Sequence, residues 1–367
     1  MSNQSELAQF AGVFSGSALS NRNLLINSGM QVAQRGTSST SEGYQTVDRF
    51  RFTSSDMDQR AFTQSQDTTG PSGFTNSYKI TVTTPETTTE AEEQLFMFQA
   101  IEAQNLQQLG YGTSDAKQLT LSFWVKSSVT GAYCVAFYEN DGNRLITSTY
   151  SISSANTWEY KTITIDGDTS GTINNDNGAG LELYFFLSVG PDRKTTDSTS
   201  WGTWTAAKFG YGQVADVAAT SSATWQITGI QLEVGDVATP FEYEDYGTTL
   251  QKCQRYYQKI VAAPASPAQT YCDVCNANQR TTTASYGIFH HPVPMRQFPT
   301  LSYNTLSNLV LYMAATSNSV SALAYNGFST TGSGSFLITT SAFGAAGNGG
   351  WLRIGSATDY IAFDAEL

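Results

Sequence analysis

Three groups of residues in this chain have the types and spacing to do chemistry. Asp166, Asp168, Ser170, Gly171, Thr172 and Asn174 set oxygen donors at alternate positions with a glycine sixth, the opening of a calcium loop. The twelfth position of such a loop supplies a bidentate glutamate. Here it is Asn177, and no helix is predicted on either side, so a polar Asx-type turn is the better account. Cys272-x-x-Cys275 with His290 and His291 suggests zinc, but structural zinc needs a second chelating pair. Adjacent strand histidines point to opposite faces, so only one could join the thiolates. Free cysteines and strand histidines are expected, with no metal or other cofactor.

The third group suits a saccharide. If Leu119, Leu121, Phe123 and Val125 face a core, Trp124 and Lys126 face away from it, as Tyr184 and Phe186 do on their own strand. Phe96, Phe98, Glu102 and Gln104 share one face of a further strand. Flat rings stack under the C–H faces of a sugar while carboxylates and amides orient its hydroxyls. The expected site is a shallow groove of Glu102, Gln104, Trp124, Tyr138, Tyr184 and Phe186, with Trp201 near Trp204 as a further exposed ring in 195–208. The competing expectation is that this face is covered by a neighbouring subunit or the C-terminal domain, and that Trp204 is packed. Nucleophilic catalysis lacks its parts: no G-x-S-x-G elbow and no phosphate loop occur, and the two histidines are adjacent. Paired acids for glycoside cleavage are not readable from sequence, but the repeated rungs of a β-helical depolymerase are missing. The chain is expected not to be an enzyme.

The elements that carry these residues are strands. Ile163 and Ile165 alternate with threonines, and Leu181, Leu183, Phe185, Leu187 and Val189 repeat that period after a glycine-containing turn. Strands are predicted at 24–32, 47–53, 76–84, 95–104, 119–128, 133–139, 144–152, 158–165, 181–189 and 225–234, the pattern of a sandwich or jelly roll. A short helix is predicted over 247–258 from Leu250, Cys253 and Tyr257, capped by Asp245 or Thr248, followed by a linker at 261–269. Strand patterning returns over 270–367. The domain expectation is a leader at 1–22, a jelly roll at 23–245, a helical connector at 246–269 and a smaller C-terminal β-sandwich at 270–367. The fold class is all-β.

Composition agrees. At 367 residues the chain suits two domains, and its charged share of 14% falls below the usual roughly 25%. A net charge of −12 disfavours nucleic acid and polybasic membrane contact. No run approaches the roughly 20 apolar residues of a membrane helix, and the start has no signal-peptide pattern. Four cysteines form no disulfide framework, which fits assembly in a reducing cytoplasm.

Several runs are long enough to carry a resemblance. NLLINSGMQVAQRGTS (23–38), YQTVDRFRF (44–52), IEAQNLQQLGYGTSDAKQLTLSFWVKSS (101–128), WEYKTITIDGDTSGTINNDNGAGL (158–181), TWTAAKFGYG (203–212) and ITGIQLEVGDVATPFEYEDYGTTLQKCQRYY (227–257) are among them. Together they resemble the jelly-roll module of bacteriophage and prophage tail-fibre-like virion proteins, a module that looks like a carbohydrate-binding sandwich. FHHPVPMRQFPTLS (289–302) resembles the opening of the second sandwich in that family, and Asp166 stands where the family usually shows proline. The resemblance implies a virion appendage, tail-fibre-like or capsid-attached, that is homotrimeric and assembled in the host cytoplasm. Its leader would anchor to other virion proteins, and weak contacts to host-surface glycan would be multiplied by symmetry. The alternatives are a head decoration protein and, behind it, an envelope-polysaccharide depolymerase.

Overall fold

The computed structural model of the protein describes residues 21–57, 60–86, 89–261, 271–313 and 316–367. The expected leader, apart from its last two residues, and the linker after Val261 lie outside the described residues. The described chain is all-β as its alternation predicts, and it divides into two compact units: residues up to Thr249 with Leu367, and Leu250–Glu366.

The first unit is a sandwich of two six-stranded antiparallel sheets. One sheet runs β1-β3-β4-β12-β6-β9, from β1 (Ser38–Ser39), β3 (Ala61–Asp67), β4 (Ser77–Thr84), β12 (Thr224–Val234), β6 (Leu119–Ser127) and β9 (Glu159–Ile165). The other runs β11-β8-β7-β10-β5-β2, from β11 (Gly202–Thr203), β8 (Arg144–Ile152), β7 (Gly131–Glu139), β10 (Ala179–Val189), β5 (Gln94–Glu102) and β2 (Arg51–Ser55). Leu119, Leu121, Phe123 and Val125 meet Leu181, Leu183 and Phe185 between the sheets, as the period of two requires. Phe123 is edge-on to Phe185 at 5.2 Å and to Tyr150 at 5.0 Å. Val189 departs from the expected inward set. A bulge between Phe186 and Ser188 shifts the register of β10 on β5, and Val189 joins a separate cluster on the outer side.

The run 24–32 is not a strand; it is a chain of bends held by polar side chains. Asn27 and Met30 adopt left-handed φ values of 60° and 58°. The buried Asn27 amide donates to the carbonyls of Val32 (2.9 Å) and Asp48 (3.0 Å), and its oxygen accepts from the Gln31 and Val32 amides. Gln99 on β5 brackets Ile26 in the same way, accepting from its N–H at 2.8 Å and donating to its C=O at 2.9 Å. Apolar alternation is therefore misleading here, because side-chain amides replace a ladder. Asn27→Ala strands these groups, and a loss of about 2 kcal/mol is expected from the urea midpoint. Strand β3 escapes sequence detection for a related reason. Its inward positions are Phe62 and the buried Gln64, and Gln64 accepts from Tyr78 Oη at 3.0 Å.

Helix α1 (Tyr246–Gln254) starts at Asp245, whose carboxylate accepts the Thr248 N–H at 3.0 Å, so Asp245 is the cap. It is shorter than expected. Tyr257, counted as its last apolar position, opens β13 (Tyr257–Val261).

In the second unit β13, β21 (Tyr360–Asp364) and β16 (Thr300–Tyr303) form a three-stranded sheet. The remaining strands close a six-stranded barrel in the order β14-β15-β19-β18-β17-β20. These are β14 (Cys272–Gln279), β15 (Ala284–His290), β17 (Leu309–Met313), β18 (Thr316–Tyr325), β19 (Ser333–Thr340) and β20 (Gly349–Ile354). Closure pairs every strand of the barrel with two neighbours, although β14 and β15 pair over three residues only. Leu309, Leu311, Phe336, Ile338, Leu352 and Ile354 fill it and share one core with Ile361 and Phe363 of the small sheet.

Candidate functional site

The outer face of the β8-β7-β10-β5-β2 sheet carries the arrangement with most binding character. Period-two alternation brings Phe96 and Phe98 of β5 beside Tyr184 and Phe186 of β10, in register at Tyr184↔Phe98 and Phe186↔Phe96. Phe98 and Tyr184 stack at 4.8 Å, and Phe209, from the crossing segment after β10, lies edge-on to Tyr184 at 4.8 Å and to Phe186 at 5.0 Å. Phe186 is thereby fully buried, and Tyr184 keeps only 8% of its surface. Leu367 also packs here, and the Tyr44 hydroxyl donates to its main-chain oxygen at 2.9 Å.

One step along the strands the face opens. Glu182 stands between Ala100 of β5 and Tyr138 of β7, and the small alanine leaves room beside it. Asn140 donates to Glu182 Oε1 at 2.7 Å, and the Tyr184 hydroxyl donates to Oε2. Burial raises the Glu182 carboxyl above its usual range, while the Tyr184 and Asn140 hydrogen bonds and nearby Arg51 work against that rise. Tyr138, the cross-strand neighbour of Glu182, meets Trp204 edge-on with ring centroids 6.2 Å apart, and its hydroxyl donates to Asn143 at 3.0 Å. A partly buried carboxylate with both oxygens oriented, the adjoining rings of Tyr138 and Trp204, two amides and the exposed Arg51 form a polar pit bordered by aromatic side chains. Such a pit can accept hydroxyl protons and stack a C–H face.

The groove expected from sequence is thus divided. Tyr138, Tyr184 and Phe186 lie on this face, but Phe186 is sealed and Tyr184 acts through its hydroxyl. Glu102 continues the same row, yet it is 0% exposed and accepts from Gln104 at 2.6 Å; Gln104 itself is exposed. Trp124 does not join them. It points outward from the opposite sheet, 5.3 Å from Tyr160, with Lys126 Nζ over Trp158 at 4.9 Å. Alternation assigns a side chain to the outside of its own sheet but not to one of two sheets, and this is why the two faces were merged. Trp201 is a structural ring: its Nε1 donates to the Asp166 carbonyl at 2.7 Å, and it meets Tyr111 at 5.7 Å. Trp204 packs between neighbours, on Phe209 and on the ring of Tyr138. The sequence reading does not include Glu182, Asn140 and Arg51, although Glu182 shares the outward parity of Tyr184 and could have been found by it.

The calcium-like turn is filled by protein groups. Arg144 clasps Asp168 through Nε and, at 3.0 Å, through Nη2, while Asp168 Oδ1 accepts the Ser170 N–H at 2.9 Å in an Asx turn. Asp166 accepts from Gln118 at 2.8 Å, and Asn174 is held by Asp141. The would-be ligands point to different partners. Beneath the turn, buried Glu139 accepts the Thr172 N–H and sits against Asp168 and Arg144. Burial pushes the Glu139 carboxyl up to about 8; the Thr172 N–H opposes this, and the Asp168 charge adds to it.

Among the described residues, no three His, Cys, Asp or Glu side chains gather as metal ligands. Burial pushes the Cys275 thiol up to about 12. His291 is buried against Gln258 at 2.8 Å, whereas His290 is exposed. Burial, then neighbouring His290, lowers the His291 imidazole to about 4.

No protein-family model and no curated protein matches the sequence. Among solved structures, the chain is similar to the enzymatically active domain of tailspike protein 4 from bacteriophage CBA120, at 12% identity and a TM-score of 0.33. That match covers 58% of this chain and 22% of the tailspike chain. A family 11 carbohydrate-binding module from Clostridium thermocellum, in complex with a mixed-linked tetrasaccharide, is similar at 11% identity and a TM-score of 0.29, over 55% of this chain and 98% of its own. The tandem family 22 modules of Paenibacillus barcinonensis Xyn10C are similar at 8% identity and a TM-score of 0.26, over 95% of this chain and 98% of theirs.

Proposed function

We propose that the protein is a non-enzymatic attachment protein of a phage particle, and that its N-terminal sandwich contacts surface glycan through the Glu182 pit. The observation that carries the binding reading is Glu182, held by Asn140 and Tyr184 beside Tyr138, whose ring in turn meets Trp204. The virion assignment rests on the motif resemblance to tail-fibre-like proteins. One shallow pit binds weakly, so useful adhesion requires several copies on a particle, and a homotrimer supplies them.

A glycan array on the full chain tests the binding reading. Tyr138→Ala and Glu182→Gln are each expected to weaken the retained glycans about tenfold, a change of roughly 1.4 kcal/mol. The absence of any glycan retained above control would sink it. Mass photometry of the soluble chain tests the trimer, and immunogold labelling of purified particles tests the virion placement.

A further inference from the structure

A second place on the molecule has binding character and lies wholly within the C-terminal barrel. Strands β14 and β15 are paired through Ala277↔Gly287, Asn278↔Tyr286 and Gln279↔Ser285. Beyond Ala277 and Gly287 they part, and each continues on its other neighbour, β14 on β20 and β15 on β19. The parting leaves a cleft of about 530 Å³ between residues 273–276 and 288–290, with Trp351 as one wall. That volume lies within the roughly 300–1,000 Å³ of small-ligand sites.

Trp351 is held from behind. Tyr312, its cross-strand partner on β17, stacks on it with centroids 5.0 Å apart and planes at 26°. Arg353 lies 5.8 Å from the Trp351 centroid and 5.5 Å from that of Tyr312, and Asp273 fixes the guanidinium at 2.7 Å. The indole is therefore pre-set, so a ligand meeting it loses little by ordering the wall. Its Nε1 is buried with no hydrogen-bond partner among the described residues. The rim is polar: Asp273, Asn276 and His290 are exposed around the opening, and Ile288, 58% exposed, lies beside them.

We propose that this cleft binds a neutral saccharide ring, its C–H face against Trp351 and its hydroxyls met by Asp273, Asn276 and His290. The Asp273–Arg353 pair neutralises its own charge, which leaves no net field to select an ionic ligand, while a standing indole ringed by an amide, a carboxylate and an imidazole matches a polyol with one apolar face. The site is independent of the Glu182 pit and holds whether or not that pit binds.

The test uses the full chain carrying Tyr138→Ala and Glu182→Gln, so that the sandwich face is silent. Saturation-transfer NMR is run with millimolar gluco-, galacto- and chito-oligosaccharides as probes. At least one is expected to show transfer, weakened about tenfold or more by Trp351→Ala and partly restored by Trp351→Phe. Asn276→Ala, at an exposed position, should also weaken it without touching the core. Absence of transfer from every probe overturns the proposal, as does transfer that Trp351→Ala and Asn276→Ala leave unchanged. If wild type and the Tyr138/Glu182 variant bind alike while Trp351→Ala loses binding, the sandwich reading fails and this one stands.

Discussion

Replacing Glu139 by glutamine is expected to flatten the pH dependence of stability in the N-terminal unit between pH 4.5 and about 8. Glu139 is 0% exposed, faces Asp168, and carries a buried Oε2 without a hydrogen-bond partner. Two carboxyls share one guanidinium there, and a proton on Glu139 removes the excess negative charge. A carboxyl whose folded value lies above its unfolded one contributes stability that is complete below the unfolded value. That contribution is lost as pH rises through the folded value. The wild type should therefore lose on the order of a few kcal/mol from pH 4.5 to 8 on this account, and its melting temperature should fall by several degrees. Glutamine keeps the shape of the protonated side chain but has no proton to lose, so its melting curve should fall less steeply and exceed the wild type at pH 8, the remaining slope coming from groups such as Glu182. Thermal unfolding followed by circular dichroism across that range decides; parallel curves for the two proteins would refute the account in which Glu139 is protonated. Arg144→Met should act in the opposite direction, costing about 3–5 kcal/mol at neutral pH by leaving buried Asp168 without its cation.

Trp225→Ala is the second large effect. Trp225 is 0% exposed on β12, packs on Phe185 with centroids 6.2 Å apart, and donates its indole N–H to the Tyr150 hydroxyl at 3.3 Å. Truncation opens a cavity between rings that cannot close around it, since Phe123, Tyr133 and Tyr150 brace one another edge-on and stacked. The expected cost is about 3–5 kcal/mol, read as a lower urea midpoint with an unchanged slope. A change under about 1 kcal/mol would mean that the two sheets are not locked through this ring.

Much of the fold was legible because a strand with one buried face must alternate. Leu181, Leu183 and Phe185 and their counterparts on β6 are assigned to the core by spacing alone. The pattern failed where polar side chains do the work of a ladder or a core residue: Asn27 and Gln99 along a segment of bends, and Gln64 within β3. A buried amide satisfied by its surroundings is indistinguishable in a sequence from a surface one.

For the binding face, residue order established which side chains leave the core, and with them the all-β character and the want of a nucleophile motif. It could not say which outward faces coincide, because Trp124 and Tyr184 obey the same alternation on opposite sheets. Pairing across strands alone brought Glu182 to Tyr138 and Trp351 to Tyr312. Only the crossing of Phe209 over the sheet decided that Phe186 is sealed while Glu182 beside it keeps part of its surface. Local spacing reports on neighbours a few residues apart, whereas a site is a meeting of distant strands whose register is set by the packing of the whole.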